Sequence, residues 1–430
     1  MIIRMLVLFF SIWLLPYVCL GKGIQTPLER DNYAKLSSHS EMMEYLKELD
    51  SQSDIVTLSS IGQSVQGRDI PALFFSLDKT FGSQRLTKLL ALVYCQQHGN
   101  EPSGKEAALV VARNLVNNGK TVLKNLDLII VPQVNPDGAE MGQRKNANDM
   151  DLNRNHVILS EPEIIALHSL FLKWKPEVTL DVHEYNAISK EWISNGYIKD
   201  AEEMLDGVTN LNIASSIIKF SREVFIPEVG NLIQQDGFRF HRYIVGSPFE
   251  NKRIRHSTTA INDGRQSMGI YNTLSFILEG KRDGDLITNI ERRTNGQISA
   301  ITAFLNTVAS HRTEIMNIVR SAREKLLQQS QPSNGYYHVQ MDYFSDPAQE
   351  SLTLPVFDLY KWDHVEKQLE NYKPLVRVKK SIVRPHAYVF SQKEERLIDL
   401  LSKHEIKMSS LRADTEVEVE IYTILHVTPT

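Results

Sequence analysis

The chain has 430 residues, 42% of them hydrophobic and 23% charged, which allows two or three globular domains and excludes a disordered or collagen-like protein. Its 48 Lys and Arg residues against 52 Asp and Glu residues leave a net charge of −4, so no overall attraction to nucleic acid is expected. Two cysteines, Cys19 and Cys95, are too few for a disulfide-built scaffold.

Residues 1–21 form a segment of their own. Arg4 is its only charged residue, an apolar run over 5–20 follows, and Gly21 supplies a small residue at the end. This pattern is typical of a secretory signal peptide, and the run is short for a membrane-spanning helix, which needs about 20 apolar residues. We expect removal of 1–21, a secreted or periplasmic protein and no lasting membrane span. Retention of the segment as a membrane anchor is the alternative.

The next part of the chain alternates between strand and helix patterns. Ser38 and Glu41 form a capping-box pattern that starts a helix ending near residue 49. Apolar runs and helical spacings then follow one another, which predicts an α/β fold with a mixed, largely parallel central sheet and helices on both faces. The predicted strands are residues 55–58, 70–75, 89–94, 126–131, 178–182 and 274–278, and the predicted helices are 103–115 and 161–174.

The C-terminal third has a different pattern. A long helix is predicted over 286–328, with a break near Asn295 and Gly296. Alternating residues then predict strands at 336–344, 376–381 and 417–423, interrupted by one helix at 394–403. The predicted organisation is a signal peptide at 1–21, a main domain at 22–332 that includes the candidate site, and a small β-rich accessory domain at 333–430.

Polar side chains follow the predicted buried strands where each strand ends. His98 and Glu101 come after the strand at 89–94, His183 after that at 178–182, and Glu279 after that at 274–278. Because ligands bind at the carboxyl ends of strands in open α/β sheets, these side chains are expected to share one site.

Two imidazoles and one carboxylate are a usual ligand set for a catalytic zinc ion, with a fourth position left to water. His98, Glu101 and His183 supply this set. Zinc lowers the pKa of its water to about 7, and a carboxylate outside the ligand set must then take the proton. Glu279 is the candidate for that role.

Five short motifs in this order resemble those of the zinc carboxypeptidases of the carboxypeptidase A-like family. The resemblance covers about residues 40–290, and with the trailing β-rich region the pattern is similar to bacterial members. The motifs are the Gly-Gln-Ser-Val-Gln-Gly-Arg stretch at 62–68, His98-Gly99-Asn100-Glu101-Pro102, Asn135-Pro136-Asp137-Gly138, Asp151-Leu152-Asn153-Arg154-Asn155 and Ser275-Phe276-Ile277-Leu278-Glu279.

The resemblance implies a metallocarboxypeptidase with one zinc ion per chain, bound by His98, Glu101 and His183. It implies that Glu279 activates the water against the C-terminal peptide bond and then protonates the leaving amine. It also implies that Arg144 stabilises the oxyanion beside the metal.

The substrate implied by the family is a peptide, or a peptide-like molecule, with a free C-terminal carboxylate. Asn153 and Arg154 would hold this carboxylate, since the planar fork of an arginine matches a carboxylate in two hydrogen bonds. Asp151 would orient His98 from behind the metal.

The sequence departs from the family at two positions. The tyrosine that often closes over the substrate about 22 residues before the general base is replaced by Ser257. Tyr243 and Tyr271 are nearby, but neither has the expected spacing, so this role stays unassigned. The residue usual for side-chain selectivity falls near Arg265, which could select an acidic C-terminal residue or contact backbone.

Two other functions fit the same residues. One is a zinc amidase or deacylase acting on cell-wall peptides or N-acyl amino acids, whose substrates also carry a free carboxylate. The other is a non-catalytic binding module on the same fold, which the presence of all three ligands and Glu279 disfavours. The sequence does not determine the preferred C-terminal residue, the role of the accessory domain or the oligomeric state.

Overall fold

The computed structural model describes residues 24–249, 252–328 and 335–411, together with 416, 418–421, 423 and 426. The predicted signal peptide at 1–21 lies outside the described residues, as does part of the predicted strand at 417–423. The chain divides into two compact units, one that reaches Ala387 and one that starts at Tyr388.

The secondary structure elements are numbered along the chain. The strands are β1 (Val56–Gln63), β2 (Asp69–Phe75), β3 (Leu89–Cys95), β4 (Leu126–Val131), β5 (Val178–Asn186), β6 (Tyr197–Lys199), β7 (Glu203–Gly207), β8 (Phe240–Arg242), β9 (Val245–Gly246), β10 (Ile254–Arg255), β11 (Leu274–Arg282), β12 (Tyr336–Phe344), β13 (Leu352–Asp358), β14 (Asp363–Leu369) and β15 (Leu375–Val383). The helices are α1 (Pro27–Arg30), α2 (His39–Ser51), α3 (Ser103–Asn118), α4 (Lys120–Leu123), α5 (Pro136–Met141), α6 (Pro162–Trp174), α7 (Lys190–Ser194), α8 (Ser215–Phe220), α9 (Ile226–Gln235), α10 (Gly264–Gly269), α11 (Ile290–Ser310), α12 (Arg312–Gln328) and α13 (Glu395–Lys403).

An eight-stranded sheet organises the first unit, in the order β1-β2-β4-β3-β5-β11-β7-β8. Its four central strands, β4, β3, β5 and β11, run parallel to one another. Every residue of β3 and β4 is buried, which accounts for their uninterrupted apolar runs. The predicted α/β fold with a mixed, largely parallel sheet is confirmed.

The two strands nearest the candidate site are longer than their apolar runs. β5 continues to Asn186 and β11 to Arg282, so polar residues are part of both strands. The parallel register places Glu279 opposite His183. The apolar pattern ends early because most of these last residues line a polar cavity rather than pack in the core.

Helices cover the sheet and complete its apolar core. Residues of α2, α3, α9, α11 and α12 pack with the strands in one cluster, which also contains Cys95 as a buried free thiol. The capping box at the start of α2 is confirmed, because the Ser38 hydroxyl accepts the Glu41 N–H and the Glu41 carboxylate accepts the Ser38 N–H. This cap stabilises the first turn of a helix by about 1 kcal/mol.

The helical region at 286–328 is interrupted at a different place from the one predicted. α11 runs through Asn295 and Gly296 without a break and ends at Ser310, and α12 starts at Arg312. A Cβ on Gly296 would lie 2.4 Å from Oε1 of Glu203, so this glycine packs closely against that side chain within the helix and does not end it.

The β-rich region forms two small sheets within the first unit. β12 pairs with β15, and β13 lies between β14 and β6. The β13–β6 pairing links the region to residues 197–199, while the division at 332/333 stays a prediction. The second unit contains α13, none of whose residues is buried. Within the described residues, none of the helices has the length and apolar character required to cross a bilayer.

Candidate metal centre

A cavity of about 410 Å³ opens at the carboxyl ends of the central strands. His98 follows β3, His183 lies in β5 and Glu279 lies in β11, and all three side chains line the cavity. The topology thus brings together residues that are up to 181 positions apart (279−98).

His98, Glu101 and His183 form one buried cluster. Nδ1 of His98 lies 2.9 Å from one Glu101 carboxylate oxygen, and Nδ1 of His183 lies 2.9 Å from the other. Ligand atoms of the three residues lie within 4.8 Å of one another. Within the part of the chain that the structure describes, this is the only such group of three His, Cys, Asp or Glu residues.

The outer nitrogens of both imidazoles contact carboxylates. Nε2 of His98 lies 3.1 Å from Asp151, and Nε2 of His183 lies 2.8 Å from Asp181. Because carboxylates only accept hydrogen bonds, each Nε2 donates a proton outward, and Nδ1 of each ring is the nitrogen that faces the cluster centre. The inward orientation of two nitrogen donors and one carboxylate is the arrangement that a zinc ion requires.

The electrostatics of the cluster also favour a cation at its centre. Burial opposes ionisation of Glu101, but the two imidazoles outweigh it and hold the pKa of this carboxyl well below its usual range. Burial likewise opposes the charged form of His183, but Asp181 and Glu101 raise the pKa of this imidazole well above its usual value. Anionic carboxylates therefore surround the two imidazoles. A dication bound at the centre of the cluster would be stabilised by the same carboxylates that raise the pKa of His183.

A further layer of hydrogen bonds, which the sequence analysis did not identify, supports Asp181. The Gln97 amide donates to Asp181 at 2.8 Å, and its Oε1 lies 2.7 Å from Nε2 of His156. The His156 ring in turn lies 3.0 Å from Nε2 of His168. Since Asp181 can only accept, Gln97 must present its oxygen to His156, and burial keeps His156 neutral by lowering its pKa.

We expect Asp181→Asn to weaken zinc binding about 10–100-fold, the usual scale for the loss of a carboxylate behind a ligating histidine. Asparagine has nearly the same size as aspartate, but it lacks the negative charge that holds the proton on Nε2 of His183. Competition with a chromophoric chelator measures the affinity. Asp78→Asn, at an ion pair with Lys88 that lies outside the cavity, is the control. Wild-type affinity in Asp181→Asn would contradict the assignment.

Glu279 lies across the cavity from the cluster. Burial raises its pKa to about 7, against the opposing effect of His183, and the Tyr243 hydroxyl is hydrogen bonded to it. Of the two tyrosines considered from the sequence, Tyr243 lines the cavity, whereas the ring of Tyr271 packs against Phe171. The spacing along the chain did not predict that Tyr243 approaches Glu279. Tyr243 lies in a different part of the chain from Ser257, where the tyrosine was expected.

Arg144 lies beside the cluster with its side chain 44% exposed. Its Nη1 is 3.3 Å from Glu101 and its Nε 3.1 Å from Asp151, so the guanidinium is held at the edge of the cavity. A cation in this position can stabilise negative charge that develops next to the metal.

Asn153 and Arg154 come from a short 3₁₀ turn that Asp151 starts by accepting the Asn153 N–H. Nδ2 of Asn153 lies 3.1 Å from Nε2 of His183, and its oxygen accepts the Gly264 N–H. Arg154 lines the cavity and donates to the backbone oxygen of Asn153, which leaves the rest of its guanidinium available.

Arg265, near the position expected to set selectivity, does not face the cavity. It is fully buried, donates to the Ser257 hydroxyl at 2.9 Å and lies 3.4 Å from Asp263. Ser257 and Asp263 line the cavity, so Arg265 supports its wall without being part of it.

Known proteins share both the sequence pattern and the fold. "Carboxypeptidase 2" of Trichophyton tonsurans is 27% identical over 263 residues, which are 60% of this chain and 49% of that protein. "Carboxypeptidase E" of Caenorhabditis elegans is 36% identical over 121 residues, or 24% of this chain and 25% of that protein. The chain thus spans about half the length of the first of these relatives and a quarter of the second.

A metallo-carboxypeptidase from Burkholderia cenocepacia has a similar fold, with a TM-score of 0.50 at 17% identity, over 65% of this chain and 71% of that one. The family model described as "Zinc carboxypeptidase" matches residues 42–202, a segment that includes His98, Glu101 and His183. Over this segment the chain is similar to the zinc carboxypeptidase family.

Proposed function

We propose that the protein is a zinc-dependent carboxypeptidase that hydrolyses the C-terminal peptide bond of its substrates. The observation that carries the proposal is the buried cluster of His98, Glu101 and His183, with Glu279 facing the same cavity. Release of C-terminal residues from a peptide library, with zinc and with a chelator, tests it. Hydrolysis that is insensitive to the chelator would overturn it.

The cluster would hold one zinc ion per chain through Nδ1 of each histidine and the Glu101 carboxylate. When bound, zinc supplies a water of lowered pKa and polarises the scissile carbonyl. Asp151 and Asp181 keep the two rings in the required orientation through their contacts with Nε2.

Glu279 would serve as the general base. Its pKa of about 7 suits this role, because a group near the working pH can both accept a proton from the attacking water and return it to the leaving amine. Arg144 would stabilise the negative charge that forms on the carbonyl oxygen.

Arg154 and Asn153 would bind the terminal carboxylate of the substrate. The guanidinium of Arg154 has no ion pair within the described residues, so it can form a bidentate contact with an incoming carboxylate. Internal peptide bonds present no such anion, which explains why the enzyme would act only at the chain end.

We expect Arg154→Gln to lower kcat/KM about 10–100-fold on a peptide with a free C-terminus, the usual scale for a lost charge-assisted hydrogen bond. On the C-terminally amidated peptide, which lacks the anion, the same change should have little effect. Initial rates on the matched pair give the answer. Arg68→Gln, whose guanidinium pairs with Asp137 outside the cavity, is the control. A wild-type enzyme that cleaves both peptides equally would refute this role.

Amidase or deacylase activity shares the requirement for a free carboxylate beside the scissile amide. Rates on blocked dipeptides, cell-wall peptides and N-acyl amino acids separate these activities from that of a peptidase. A binding module without catalysis would bind zinc and peptide but show no turnover.

We also propose the domain and compartment assignments made from the sequence. Residues 22–332 would form the catalytic domain and 333–430 the accessory region, with the pairing of β13 and β6 as one point of attachment. Residues 1–21 would direct export, on the strength of their single charge and short apolar run.

A further inference from the structure

The cavity carries more positive charge than a single terminal carboxylate can balance. Two of its acidic residues are neutralised from outside the cavity. Glu184 forms a 2.7 Å ion pair with Arg293, and Asp263 lies 3.4 Å from Arg265. Neither of these arginines lines the cavity. The two carboxylates therefore contribute little free negative charge to the space that a substrate would enter.

Three arginines line the same cavity without a carboxylate partner within the described part of the chain. They are Arg154, Arg255 and Arg282. Arg144, the fourth arginine on the wall, differs because it pairs with Glu101 and Asp151. Since Arg154 is assigned to the terminal carboxylate, two guanidinium groups are left for another partner.

The surroundings of Arg255 and Arg282 leave their charge unbalanced. The guanidinium of Arg255 lies 5.6 Å from the ring centre of Tyr343, and burial, followed by the neighbouring Arg253, lowers its pKa from the ordinary value. Among the residues that the structure describes, the buried Nε of Arg282 has no hydrogen-bond partner. A buried donor without a partner is costly, and more so when it is charged, so a bound anion would be favoured at Arg282, with Arg255 as a second cation on the same wall.

We propose that the enzyme prefers acidic peptides, with Arg255 and Arg282 binding a side-chain carboxylate of the substrate in addition to the terminal one. The inference rests on the proposed carboxypeptidase activity and names its substrate class. The acidic side chain belongs either to the residue that is released or to a residue before the scissile bond. Both sources present the same carboxylate chemistry to the two arginines.

Four N-blocked dipeptides with free C-termini test the inference on the zinc-loaded, full-length enzyme. One pair, blocked Ala-Glu and blocked Ala-Gln, varies the released residue. The other pair, blocked Glu-Ala and blocked Gln-Ala, varies the residue before the scissile bond. Glu and Gln have almost the same shape, so a ratio of kcat/KM within a pair reports the charge alone. We expect a preference for Glu of about 10–100-fold in one pair, and that pair identifies the source of the carboxylate.

Variants then assign the preference to the two arginines. Arg255→Gln and Arg282→Gln should each lower kcat/KM on the preferred Glu peptide and leave the rate on its Gln counterpart nearly unchanged. Arg255→Lys and Arg282→Lys, which keep the charge, should recover part of the preference. The matched control is Arg253→Gln, two residues before Arg255, because Arg253 pairs with Asp342 and does not line the cavity.

The possible failures are distinct. Equal wild-type rates within both pairs would overturn the inference and leave the proposed carboxypeptidase activity standing. Equal losses on Glu and Gln peptides in the arginine variants would also overturn it, since the arginines would then act on the terminal carboxylate. No hydrolysis of any of the four peptides by a protein with stoichiometric zinc would overturn the proposed function itself, and this inference with it.

Discussion

Glu279→Gln is expected to lower kcat/KM about 10²–10⁴-fold while zinc content stays at the wild-type level. The amide keeps the size of the side chain and can still contact the Tyr243 hydroxyl, but it has no basic oxygen to accept a proton from the attacking water. Zinc content should not change because Glu279 lies outside the group of three ligands. Steady-state rates on a blocked dipeptide, together with metal analysis of the same protein, measure both quantities.

The pH dependence provides an independent check on this role. Burial raises the pKa of Glu279 to about 7, and a bound dication would oppose that shift. A base must be ionised to act, so kcat/KM should fall on the acid side, from a midpoint at or below pH 7, by about tenfold per pH unit. The residual activity of Glu279→Gln should not show this fall of kcat/KM at acid pH.

Glu203→Gln is the matched control. Glu203 is a second buried carboxyl. It lies in β7, opposite Gly280 of the neighbouring strand β11, and burial raises its pKa well above the ordinary value. Burial therefore favours its neutral form, which glutamine resembles, and its replacement should leave the rate unchanged. If Glu203→Gln lost as much activity as Glu279→Gln, the loss would result from disturbed packing of the sheet and not from a missing base.

The central sheet could be predicted from the sequence because its strands are buried on both faces. β3 and β4 are apolar in almost every residue, with Asp127 of β4 as the exception, and they match the predicted runs within a residue. The ends of β5 and β11 could not be placed, because their last residues face a polar cavity and lose the apolar signal. The break between α11 and α12 was misplaced for a related reason, since Gly296 packs against Glu203, which lies far from it in the sequence.

The three predicted ligands were identifiable because His98 and Glu101 are close in sequence and His183 follows a buried strand. The groups behind them were harder to identify. The hydrogen bond between Gln97 and Asp181 joins residues 84 positions apart, and the one between Gln97 and His156 joins residues 59 positions apart. A single sequence carries no periodic signal of such pairs. The positions of Tyr243 and Arg255 on the cavity wall likewise depend on how the segment between β8 and α10, which includes β9 and β10, folds, and local patterns do not determine this.

His183→Gln is expected to abolish stoichiometric zinc binding and to lower kcat/KM on the order of 10³-fold or more, since the metal supplies several kcal/mol of transition-state stabilisation. The amide cannot replace an imidazole as a strong zinc ligand. It also loses the contact that Nδ1 of His183 makes with Glu101 at 2.9 Å. Metal analysis after gel filtration and rates at saturating zinc measure the two effects.

Thermal unfolding separates loss of the ligand from loss of the fold. A ligand that binds only the native state stabilises it, so zinc should raise the Tm of the wild-type protein above its value in chelator. In His183→Gln, Tm should be the same in zinc and in chelator, because the binding site is gone while the strand β5 remains. His311→Ala, at an ion pair with Glu228 that lies outside the cavity, should keep the wild-type response. A His183→Gln protein that retained one zinc ion per chain and the full rise in Tm would show that the metal binds elsewhere.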